Sequence, residues 1–239
     1  MKMLAVLAGI TALLLVARSS PGMGEPYYPP DNSDWWSLLG HEQRRHNGPA
    51  PRDERLPASN FTILGINFGN GSFFESGFAE VEHAIDAAPI VERGDAGSSR
   101  SQICFKSDSD NGRYKLIFER GEVSSIAYML DGGPEWKGAD KCVASNKITE
   151  HLATKSGIHL GMSVAEAKAI LGKASSETNE RIEYDFMHRV PLTSREMQAS
   201  KGPNGGLISD YYAYWWASIV IGFRERRASY VAMCTGETT

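Results

Sequence analysis

The sequence predicts an α+β fold built as a tandem repeat, each copy a helix followed by a three- to four-stranded antiparallel sheet. Three pairs of matched blocks, in the same order, predict it. Gly65-Ile-Asn-Phe-Gly69 matches Gly157-Ile-His-Leu-Gly161. Residues 78–85, Phe-Ala-Glu-Val-Glu-His-Ala-Ile, match 164–171, Val-Ala-Glu-Ala-Lys-Ala-Ile-Leu. Residues 118–129 match 223–234, each a strand, a charged turn and a second strand. Order-preserving self-similarity of this kind is the signature of a repeat architecture.

The second copy carries the sharper helix signal. Ser163-Val-Ala-Glu166 has the form of a capping box, in which Ser163 accepts from the Glu166 amide and Glu166 reaches back to the Ser163 amide. Val164, Ala167, Ile170 and Leu171 follow at helical spacing. Gly172 then suits a residue just past a helix end. Gly157, Leu160, Gly161, Met162, Ser163, Glu166, Ala167, Ile170, Leu171, Gly172 and Lys173 together resemble a segment of the SmpA/OmlA outer-membrane lipoproteins. That resemblance implies a fold like the β-lactamase inhibitor protein and a role in binding other proteins. It carries over no catalytic residue. Those lipoproteins have a lipidated Cys at their cleavage site, whereas this chain has no Cys before Cys104.

In chain order, residues 1–20 read as a signal peptide: Lys2, then an apolar run from Leu4 to Val16, then the small residues Ala17, Ser19 and Ser20. The run is shorter than the ~20 residues of a spanning helix. The mature protein is expected to be periplasmic or secreted and soluble, with no spanning membrane segment. Residues 21–60 form a Pro-rich linker or tail, broken by Pro29, Pro30, Pro49, Pro51 and Pro57. Within it, Trp35 and Trp36 either cover a sheet face of their own domain or form a partner-binding segment. His41 and His46 do not match the zinc-protease pattern, because five residues turn a helix through roughly 500° and the rings diverge. No metal and no cofactor are expected.

The first repeat occupies residues 61–135. Its hairpin signal is Asn111-Gly112 between strands at 102–105 and 114–118. A connector follows at 136–156, with a short helix expected over 147–155. The second repeat occupies 157–239. Its strand 181–186 alternates apolar and polar residues. Residues 191–210 form a long loop, and long loops inside compact domains are often functional. Tyr211, Tyr212, Tyr214, Trp215 and Trp216 come next, the densest aromatic stretch in the chain. Alternate members must face opposite sides of a strand, so one set enters the core and the other needs a cover or a partner.

Net charge is −4 over 239 residues, with both signs interspersed. Nucleic-acid binding calls for a basic patch, so no nucleic-acid partner is expected. Three Cys in an exported chain suggest one disulfide and one free thiol. Cys104–Cys142 is favoured, with Cys142–Cys234 as the alternative. No nucleophile–base motif is present. Glu80, Glu82, His83 and Asp86 read as a charged face of the first helix. The sequence therefore points to an exported, non-enzymatic interaction module of the bacterial cell envelope that binds another exported or envelope protein. Trp35, Trp36, Tyr211, Tyr212, Tyr214, Trp215 and Trp216 are the candidate contacts. A small-ligand or glycan binder that stacks on aromatics is the alternative.

Overall fold

The computed structural model describes residues 50–69, 73, 78–93, 100–121, 124–132, 141–191 and 212–238. Strand signals dominate what forms. A hairpin of β1 (Thr62–Ile63) and β2 (Ile66–Asn67) leads into α1 (Ala79–Ala84). Then come β3 (Val91–Arg93), β4 (Arg100–Ser107), β5 (Tyr114–Arg120), β6 (Ser124–Asp131) and β7 (Val143–Ser145). The helix α2 (Val164–Leu171) precedes β8 (Ser176–Glu177), β9 (Arg181–Pro191), β10 (Tyr212–Arg224) and β11 (Arg227–Thr238).

Strands β3-β4-β5-β6-β11-β10-β9-β8 pair in that order in one nine-stranded sheet, with β7 added beside β4. The β7–β4 pairing is parallel; the others are antiparallel. This corrects the expected tandem of helix-plus-sheet units. The protein is a β-rich fold around a single sheet, and its two described α-helices are short. The physical reason is the pairing of β6 with β11 from Tyr230↔Leu130 to Gly236↔Ser124. Those strands would otherwise be exposed edges with unpaired backbone donors and acceptors, and joining them removes both edges.

The helices are held by packing, as their lengths of six and eight residues require. In α2 the capping box is complete: Glu166 N donates to Ser163 Oγ at 3.3 Å, and Ser163 N donates to Glu166 Oε2 at 2.6 Å. The Ser163 amide, and then the Ser163 hydroxyl donating to Glu166 Oε2 at 2.8 Å, hold the Glu166 carboxyl below its ordinary range. Gly172, at φ 75°, ends the helix in a conformation that favours glycine. Residues 147–155 form turns and bridges rather than the expected helix. Ile148 N bonds to Ser145 O and Leu152 N to Thr149 O, and both side chains are buried all the same.

The sheet has two different faces. Over the first lie the β1–β2 hairpin, both helices and residues 148–162. Together they close a core with Ile103, Phe105, Leu116, Phe118, Met129, Met233, Ile219 and Tyr184. On the second face a smaller cluster gathers Cys104, Ile117, Ile126, Tyr128, Leu130, Cys142, Val220, Ala232 and Cys234. The Cys104–Cys142 disulfide, the favoured pairing, ties the connector to β4 on this face. Cys234 is the free thiol.

Candidate functional site

Strand β10 decides where the aromatic stretch points. Its continuous pairing with both β9 and β11 fixes the alternation. Trp215 turns to the first face and is 2% exposed. It packs edge-on to Phe61, with ring centroids 6.0 Å apart, and Arg55 lies 5.7 Å over its ring. Trp215 is therefore a core residue. Tyr214 and Trp216 are half-buried, and Trp216 packs beside the second-face cluster. The backbone of Tyr212 pairs with Pro191 at the start of β10. Trp35, Trp36 and Tyr211 lie outside the described residues, as do the signal-peptide segment, His41, His46 and most of the long loop.

Two neighbours of these aromatics come from β9. Register places Met187 opposite Trp216 and Arg189 opposite Tyr214. Met187 is 42% exposed, as few large hydrophobics are among the described residues. The Arg189 guanidinium sits 5.6 Å over the Tyr214 ring. Met187, Arg189, Tyr214 and Trp216 thus form one patch on the second face, at the far end of β9 and β10. Met187 and Arg189 do not stand out in the sequence as candidate contacts. The signal was the alternation along 181–191, carried past residue 186.

Polar groups border the second-face cluster. Arg100 Nη1 reaches Glu119 Oε1 at 2.9 Å, Arg181 pairs with Glu183, and the Ser218 hydroxyl donates to Asp185. Glu119, Glu183 and Ser218 are buried. Burial, and then the Glu119 carboxylate, push the Cys234 thiol well above its ordinary range. At neutral pH Cys234 stays protonated, which suits packing and not attack.

Open clefts lie elsewhere among the described residues. One, of about 460 Å³, is lined by Tyr114, Asp131, Glu150, His151, His159 and Gly161. Its Asp131 is held by Arg113, with Nε–Oδ1 at 2.5 Å. His159 Nδ1 lies 2.6 Å from the Leu160 carbonyl oxygen, a contact that needs the proton on Nδ1. Another, of about 740 Å³, lies at the turns of β8–β9 and β10–β11. Asn179, Arg181, Phe223, Arg224 and Tyr230 line it. Among the described residues no group of three His, Cys, Asp or Glu side chains could hold a metal ion. No described helix is long and apolar enough to cross a membrane. Glu80, Glu82 and His83 sit on α1 as the expected charged face, opposite the buried Val81.

No family model matches the chain, and neither a curated protein nor a solved structure matches it. The resemblance to the SmpA/OmlA lipoproteins rests on the motif at residues 157–173 alone.

Proposed function

We propose that this protein is an exported, non-enzymatic interaction domain of the cell envelope, and that it grips another envelope or secreted protein with the patch of Met187, Arg189, Tyr214 and Trp216. The patch itself is the observation that carries the proposal. Tyr, Trp, Met and Arg are the residue types enriched where proteins meet, and they dominate binding energy when clustered. Here a guanidinium–aromatic stack holds Tyr214 in place while Met187 stays open to solvent. The disulfide and the signal-like residues 1–20 support export, since such bonds persist in oxidising compartments.

Affinity capture from the producing cells' envelope and culture fluid tests the proposal. The wild-type chain should retain one protein in near-stoichiometric amount. Arg189→Ala with Tyr214→Ala should lose it while the thermal transition stays in place. Equal capture by the variant and the wild type would sink the reading.

A second reading has its own observation. The cleft at the β10–β11 turn offers the Tyr230 ring with Asn179, Glu180 and Arg224 around it. An aromatic surface ringed by polar groups suits a sugar. Saturable binding of envelope glycan fragments, abolished by Tyr230→Ala, would favour this cleft over the patch.

A further inference from the structure

The turn between β10 and β11 carries backbone strain. Glu225 and Arg226 sit at φ 53° and 63°, in a two-residue connection between the paired Arg224 and Arg227. Such a turn favours Asn-Gly, because most side chains disfavour the left-handed region. Backbone outliers of this kind collect at ligand sites. Both residues line the cleft of about 740 Å³, a volume within the roughly 300–1,000 Å³ of small-molecule sites.

The cleft is built from fixed parts. Thr178 locks the β8–β9 turn, its hydroxyl accepting from the amides of Glu180 and Arg181 at 3.3 and 3.1 Å. Phe223 N donates to Glu180 O at 2.7 Å and ties that turn to β10. Arg224 Nη2 donates to the Asp131 carbonyl oxygen at 2.7 Å. The Tyr230 ring lies across Gly222, where a Cβ would stand 1.9 Å from its Cε1. Three guanidiniums line this space. Arg181 is matched by Glu183. Arg224 bonds only a neutral carbonyl, and Arg226 makes no hydrogen bond or ion pair among the described residues. Both are exposed. A guanidinium with open donors forks onto a carboxylate or a phosphate. Glu180, Glu225 and the Asn179 amide share the lining and can accept from hydroxyls. Their two carboxylates balance Arg224 and Arg226, so selection here comes from local pairing and not from a long-range field.

We propose that this cleft takes an acidic saccharide, with its carboxylate or phosphate on Arg226 and Arg224, its hydroxyls on Glu180 and Asn179, and its ring against Tyr230. The inference rests on the sugar-binding reading of the cleft and names the class of sugar.

NMR titration of the full chain tests it with N-acetylmuramic acid, glucuronic acid and glucose 1-phosphate. Each is set beside an uncharged counterpart: the two methyl esters, and glucose. One acid or more should bind at least about tenfold tighter than its counterpart. Arg226→Gln, a change at an exposed turn residue, should bring that acid down to its counterpart's affinity and leave the thermal transition in place. Glu225→Asn with Arg226→Gly should lose the same preference while the transition moves up, because the turn is relaxed. A preference that survives either variant overturns the proposal. Counterparts bound as tightly as the acids, and lost with Tyr230→Ala, overturn the acidic class and leave the sugar reading standing. Binding of none of the six overturns both. Inorganic phosphate that displaces the sugar acid at equal concentration marks a site for any oxyanion, and overturns the saccharide.

Discussion

On the first face of the sheet the inward side chains are hydrophobic nearly without a break from Ile103 on β4 to Tyr184 on β9, beneath helices and turns equally apolar. On the second face the patch around Ile126 and Val220 is flanked by Gln102, Glu119, Ser218 and Glu183, all buried. A hydrophobic face accepts any apolar layer of the right volume. A face with buried polar groups accepts only a layer that meets their hydrogen bonds, because an unmet one costs about 1–3 kcal/mol. The first face therefore supplies stability, and the second supplies discrimination between possible covers.

Adjacent tryptophans give the sharpest test of that contrast. Trp215→Ala, on the first face, should destabilise by about 3–5 kcal/mol in urea unfolding. A much smaller loss would show that the first face is not the main core. Next in size is the disulfide on the second face. Cys104→Ala with Cys142→Ala reopens a loop with a separation of 38 residues and should cost about 4 kcal/mol on the chain-entropy account, often less when measured. Differential scanning calorimetry on the oxidised and doubly substituted chains would show it. Smaller again is Gly222→Ala. A Cβ there would stand 1.9 Å from Cε1 of Tyr230, which lies across the glycine on the second face. Shifting that ring should cost about 1–3 kcal/mol, measured by chemical denaturation; no loss would mean that Tyr230 is free to swing away.

The smallest effect lies back on the first face. The Tyr184 hydroxyl is buried without a hydrogen-bond partner among the described residues. Tyr184→Phe should be neutral or stabilising by up to about 1 kcal/mol. Burial, followed by the Glu177 carboxylate, pushes the Tyr184 phenol up to about 12 from 10.0. Above pH 10 the unfolded chain releases this proton while the folded chain keeps it. Stability is thus fully present below pH 10 and is lost as pH rises towards 12. Tyr184 contributes at most about 1.4 kcal/mol per pH unit to that fall, and Tyr184→Phe should flatten it in urea titrations across the range.

The local features were legible in the sequence because their causes are local. Ser163 and Glu166 are three residues apart, so the capping box and α2 could be read directly. Alternation along 212–223 showed that the aromatics divide between two faces. Which set went inside was not legible, since Trp215 and Trp216 are chemically identical and only the register with β9 and β11 separates them. The single sheet was not legible either. It depends on β6 meeting β11, strands about a hundred residues apart, and an alternating pattern states that a strand exists without naming its neighbour. Residues 147–155 misled for a related reason. Ile148 and Leu152 have helical spacing, and two consecutive turns bury them equally well.

The β6–β11 seam also sets a timetable. β11 is the last strand of the described chain, yet it occupies the middle of the sheet. As the chain emerges from synthesis, β6 must wait with a bare edge until residues 227–238 arrive. Until then β6 and β10 each present unpaired backbone groups, and the nascent protein is exposed to proteases and to pairing with its own copies.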